Sequence, residues 1–110
     1  MLGSTTPLAW PDDGEIDIME HAGYHRDLFM LLYHCKKYYH VTGTQKTDTA
    51  CIADCSEKFH AYGAEWNADS IKISVDRKMY FSFANEHSGY QGWPFDNELF
   101  LILNIAIGGD

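Results

Sequence analysis

The chain has 110 residues, enough for one small domain with a single core, and carries a formal net charge of −8. That excess of carboxylates excludes nucleic acid and anionic membrane as partners, because binding phosphate takes clustered Lys and Arg. Aromatic residues reach 15%, a usage shared by small β domains and by surfaces that stack on sugars.

Residues 1–14 are rich in Gly, Ser, Thr and Pro and read as loop; residues 1–13 show neither the basic start nor the apolar run of a signal peptide. Glu15 to His21 alternates acidic and apolar residues, and Leu28 to His34 is an apolar run of strand length. Cys35, Cys51 and Cys55 are an odd set, so at least one thiol is unpaired. Three unpaired thiols is the default reading, a Cys51–Cys55 bridge is the alternative, and no spacing matches a zinc site. Phe59 to Trp66 carries aromatics and small residues. Ile71, Ile73 and Val75 alternate with Lys72 and Ser74, as on a half-buried strand. Asp76-Arg77 then reads as a short turn into Lys78 to Phe83, completing a hairpin.

Residues 84–97 read as loop. Leu99 to Ile107 is apolar on both faces and reads as a central strand, which needs a neighbour on each edge to pair its backbone groups. No segment shows a capped helical period, and no apolar run reaches the roughly 18 residues that span a bilayer. The pattern is that of an all-β sandwich. With a central strand so late in the chain it reads as part of a larger one, since such domains often run to roughly 200–250 residues.

The sharpest chemical signal is Gly14-Glu15-Ile16-Asp17-Ile18-Met19-Glu20-His21. On a strand, Glu15 and Asp17 share one face while Ile16 and Ile18 take the other. Glu20 breaks the alternation, and one extra residue in a β-bulge near Met19 restores it. Glu15 and Glu20 then stand roughly 13 Å apart at their Cα atoms. Leaning inward over Asp17, their carboxylates approach to about 5–6 Å, the separation of a retaining glycosidase pair. Three like charges on one face disfavour full ionisation, so one group should keep its proton. The plainer alternative is an exposed acidic strand face, solvated or holding a cation.

Trp10-Pro11 followed by this bulged acidic run resembles the signature of family 16 glycoside hydrolases, in the form typical of laminarinases, agarases and carrageenases. The likeness continues through Thr44-Gln45-Lys46, Phe59-His60-Ala61-Tyr62, Glu65-Trp66, Asp69-Ser70-Ile71-Lys72, Trp93-Pro94-Phe95-Asp96 and Leu101-Ile102-Leu103-Asn104-Ile105-Ala106-Ile107-Gly108-Gly109. Cys35-Lys36-Lys37-Tyr38-Tyr39 departs from the usual pattern.

The resemblance implies a concanavalin A-like β-jelly-roll sandwich. Residues 1–110 would form the central part of one catalytic domain, an incomplete fragment without the N- and C-terminal strands. It implies retaining endo-hydrolysis of β-1,3-glucan, with Glu15 as nucleophile, Glu20 as general acid/base and Asp17 positioning and polarising them. Trp10, His34, Trp66 and Asn104 are the expected substrate contacts, each equally ordinary as a structural residue. No cofactor is expected. Structural calcium ligands in the family lie in the ends outside this stretch, so no residue here is assigned to a metal. The expected partner is β-glucan polysaccharide, with the complete protein a monomer, secreted or periplasmic. A non-catalytic β-glucan-binding protein on the same fold, or an inactive fragment, are the rival readings.

Overall fold

The computed structural model describes residues 1–5 and 8–107. Among them the strands are β1 (Leu2–Ser4), β2 (Glu15–His21), β3 (Leu28–His34), β4 (Lys46–Cys51), β5 (Tyr62–Trp66), β6 (Ser70–Val75), β7 (Lys78–Ala84) and β8 (Leu99–Leu101). One turn of 3-10 helix spans His40–Thr42. Two antiparallel sheets result, a five-stranded one in the order β4-β3-β2-β1-β8 and a three-stranded one in the order β5-β6-β7.

The sheets pack because their alternating residues supply two apolar faces. From the larger sheet come Ile16, Phe29, Leu31, Tyr33 and Ala50; from the smaller come Ile71, Ile73, Val75 and Phe81, all buried. Trp93 and Phe95, in the loop that leads to β8, close the end of this core. Tyr33 is its hub. Its ring meets Phe83 at 4.9 Å and Phe95 at 5.2 Å between centroids, and its hydroxyl donates to the Gly92 carbonyl. Each such fully buried large side chain contributes roughly 1.5–3 kcal/mol.

The expected strands at Glu15–His21, Leu28–His34 and residues 71–83 form. Asp76 and Arg77 make the two-residue turn with φ of 49° and 68°, and Val75 pairs with Lys78 across it. Positive φ at both positions matches the twist of the flanking strands. All three cysteines are free.

Three expectations change. Residues 1–14 are not all loop, because Leu2–Ser4 is drawn into the sheet between β2 and β8. The aromatic stretch is shorter at its start, and Phe59 is fully exposed outside β5. Of the strand expected over Leu99–Ile107, β8 covers Leu99–Leu101, which among the described residues pairs with β1. Its ladder with β1 runs from Ser4–Leu99 through Gly3–Phe100 to Leu2–Leu101, followed by the Ile102 N–H to Met1 carbonyl bond. Beyond that point Leu103, Ile105 and Ile107 are 85%, 97% and 102% exposed.

Candidate active site

The register between β2 and β3 organises the acidic face. Glu15 pairs with His34, Ile16 with Tyr33 and Asp17 with Leu32; the next pairs are Glu20 with Met30 and His21 with Phe29. Ile18 and Met19 together therefore oppose Leu31 alone, which is the β-bulge. Cross-strand partners share a face. Leu31, Tyr33 and Phe29 point into the core, so His34, Leu32 and Met30 point away from it, and Glu15, Asp17 and Glu20 go with them. The strand is entered through Gly14 at φ +78°, where a Cβ would lie 2.6 Å from both Pro94 and Phe95. Only glycine fits that close approach at that dihedral.

Asp17 is the central carboxyl and the most enclosed, with 6% of its surface exposed. Burial, then the charge of Glu15 and a hydrogen bond to it, then the charge of Glu20, push its pKa up to about 8. At neutral pH Asp17 holds a proton and shares it with Glu15. Beside it, burial lowers the pKa of His34, with His40 adding to the effect and Glu15 and Glu20 opposing it. His34 Nε2 lies 4.0 Å from Asp17 Oδ2, beyond hydrogen-bonding range. The contact is between a neutral imidazole and a neutral acid rather than an ion pair.

The Trp10 indole N–H donates to Glu15 Oε2 at 2.6 Å. Glu15 thus has an indole N–H and the Asp17 hydroxyl as its two donors. On the β1 side of Glu15 a cavity of about 160 Å3 is lined by Gly3, Trp10, Asp13, Glu15, Phe100 and Ile102 among others.

Of the seven side chains expected at the site, five come together: Glu15, Asp17 and Glu20 on β2, His34 paired to Glu15 on β3, and Trp10 bonded to Glu15. Trp66 does not join them. It pairs with Ile71 on the other sheet, so its ring shares the inward face of that sheet, and its indole N–H donates to the Phe95 carbonyl at 3.2 Å. It borders a separate cavity of about 590 Å3 with Asn67, Phe95 and Asp96. Asn104 lies beyond the last residue of β8, exposed and away from any ladder. Two neighbours of the site were not expected, Phe100 and His40. Phe100 pairs with Gly3, which pairs with Glu15, so it lies on the acidic face by register alone. His40 comes from the 3-10 turn, whose position no periodicity reveals. Among the described residues no group of three or more His, Cys, Asp or Glu side chains is arranged to hold a metal ion.

The chain matches the family model for glycosyl hydrolases family 16 over residues 2–110. A β-glucanase of Rhodothermus marinus is 41% identical over 105 residues, covering 91% of this chain and 37% of that protein. A crystal structure of a point mutant of SCLam, a non-specific endo-β-1,3(4)-glucanase from family GH16, co-crystallised with 1,3-β-D-cellobiosyl-cellobiose, superposes with a TM-score of 0.88 at 36% identity. The match covers 98% of this chain and 42% of that one. A β-1,3-glucan-binding protein of Penaeus monodon is 27% identical over 128 residues, covering 91% of this chain and 34% of its own length. The chain thus spans roughly two fifths or less of the length of the relatives it matches. The two-sheet architecture is that of a jelly roll, and a family model matched from the second residue to the last leaves one assignment: this chain belongs to family 16 of the glycosyl hydrolases.

Proposed function

We propose that the chain carries the catalytic face of a retaining endo-hydrolase of β-1,3-glucan. The observation that supports this most is the bulge at Ile18–Met19, which leaves three carboxyl groups on one face with a neutral Asp17 in the middle. Glu15 is the nucleophile. Its carboxylate attacks the anomeric carbon while Glu20 protonates the departing glycosidic oxygen, leaving the sugar esterified to Glu15. A water that gives its proton to Glu20 then attacks the same carbon and releases Glu15. Asp17, by holding a proton, adds no negative charge between the Glu15 carboxylate and Glu20, which acts as the acid in its protonated form, and it donates to Glu15. Together with the Trp10 N–H it fixes the direction of the attacking oxygen. Neutral His34 covers the other side of Asp17 without adding charge.

A neutral polysaccharide is the substrate class that an acidic chain accepts without electrostatic penalty. The protein acts outside the cytoplasm, secreted or periplasmic, where such polymers occur, and is a monomer when complete. No helix among the described residues is long and apolar enough to cross a membrane. Proton NMR of the earliest products from laminarin tests the mechanism. Two displacements at one carbon release the β-anomer first, and an initial α-anomer would remove Glu15 from the nucleophile role.

A second reading is a non-catalytic β-glucan-binding protein, the name carried by the Penaeus monodon relative. The intact triplet of Glu15, Asp17 and Glu20 favours the enzyme. Laminarin retained by the protein and never shortened would favour the binding protein.

A further inference from the structure

Between β3 and β4 the chain makes a compact loop that closes on itself. The Thr44 hydroxyl donates to the Lys37 carbonyl at 3.0 Å, and the Thr42 hydroxyl to the Tyr39 carbonyl at 3.0 Å. The Gly43 N–H returns to the His40 carbonyl at 3.0 Å, with Gly43 at φ 65° reversing the chain. The backbone of His40 is therefore fixed by its own loop, although its side chain is exposed and belongs to no part of the core.

The imidazole of His40 lies against the indole of Trp10, with ring centroids 5.5 Å apart and planes 33° from parallel. Tyr39 meets the same indole edge-on at 6.1 Å. His34 completes the surround at 6.0 Å from Trp10, and His40 meets His34 edge-on at 5.8 Å. Trp10 has little else to hold it. It is 46% exposed, and its loop is closed by short-range bonds, Asp12 N–H to Ala9 and Gly14 N–H to Pro11. Yet this indole is the side chain that grips Glu15.

We propose that His40 is a positioning residue: its ring, presented by the 37–44 loop, packs tilted against Trp10 and so keeps the indole N–H on Glu15 Oε2. The role needs a flat ring at this place and does not need the imidazole to titrate. Its catalytic consequence rests on Glu15 acting as nucleophile, as proposed above. Its structural part does not.

The test separates the two. In a 15N-labelled protein the Trp10 indole N–H resonance, assigned with Trp10→Phe, reports the bond to Glu15, and Glu15→Gln supplies the shift expected when that bond weakens. His40→Ala should move the resonance in the direction set by Glu15→Gln, and His40→Phe should restore it. On laminarin, His40→Ala should lose roughly two- to tenfold in kcat/KM, the worth of one aromatic pair, mostly in kcat, and His40→Phe should recover most of it. An indole resonance unmoved by His40→Ala, or moved equally by His40→Phe, would overturn the proposal even in an active enzyme. If the wild type leaves laminarin uncut while the indole responds as described, the hydrolase reading falls and the clamp stands.

Discussion

Replacing Asp17 by Asn should remove the loss of stability that Asp17 imposes on this protein as pH rises. In the folded chain Asp17 is 6% exposed between two other carboxylates and holds its proton up to about pH 8, whereas in an unfolded chain it releases it near 3.8. Between those values the folded state binds a proton that the unfolded state lacks. The stability that Asp17 contributes is therefore fully present below about pH 4 and is lost as pH rises through about 8. Full ionisation of a carboxyl so displaced costs at most roughly 6 kcal/mol. The neighbouring carboxylates adjust their own charge as Asp17 ionises, so a measured loss of about 2–4 kcal/mol between pH 4 and 9 is expected. Asn has the same shape and no charge to lose. Urea unfolding of dilute wild type and Asp17→Asn across this range should give midpoints that agree within a small constant offset at pH 4. They should diverge progressively from about pH 4 and level off above about pH 8, with the variant the more stable. A wild-type midpoint that rises from pH 5 to 8 relative to the variant would show Asp17 ionised in the fold and refute the neutral-centre account.

Glu20→Gln should slow cleavage of natural glucan far more than glycosylation by an activated aryl glycoside, whose leaving group needs little protonation; equal losses in pre-steady-state assays would remove Glu20 from the acid role. Gly14→Ala should cost more than about 2 kcal/mol, because its methyl meets Pro94 and Phe95 at 2.6 Å on a backbone at φ +78°, and a urea midpoint within experimental scatter of wild type would contradict it. Arg77→Gly should add roughly 0.5–1 kcal/mol by relieving the second left-handed position of the β6–β7 turn, read as a higher melting temperature. The exposed Leu103, Ile105 and Ile107 should drive self-association of the 110-residue chain. Sedimentation equilibrium should show that association weakened when all three are changed to Lys, and an unchanged profile would assign it to another surface.

Local pattern was enough where one face of a strand is apolar and the other is not. Ile71, Ile73 and Val75 alternate so regularly that β6 and its turn are legible, and the misplaced parity of Glu20 is enough to require the bulge between Ile18 and Met19. The strand β4 escaped because Lys-Thr-Asp-Thr is polar on both faces; what makes it a strand is six consecutive pairs with β3, a tertiary cause. β1 is three residues held between two partners and has no pattern of its own. Of the run Leu99–Ile107, only Leu99–Leu101 is in a strand among the described residues. Apolar character on both faces records a capacity for burial, and only neighbouring strands realise it. At the site, Trp66 could be placed only once its register with Ile71 was known, since an aromatic on a strand belongs to the face its partner chooses. His40 reaches Trp10 through a loop, and loop conformation leaves no periodic trace.

The bulge has one further consequence, for how this strand tolerates change in length. Because Ile18 and Met19 together face Leu31, the ladder beyond them resumes with β2 advanced by one residue, at Glu20–Met30 and His21–Phe29. A chain lacking Met19 would pair residue for residue throughout and would still send all three carboxyl groups to the same side. The extra residue is silent to the rest of the sheet, and its whole effect falls on the last carboxylate, through the local twist and reach that a bulge imposes. Strand length at this point is thus a dial for aiming Glu20 alone. Excising Met19 should leave folding close to intact while changing where the acid meets its substrate, a separation of stability from chemistry that few single-residue deletions in a β-strand permit.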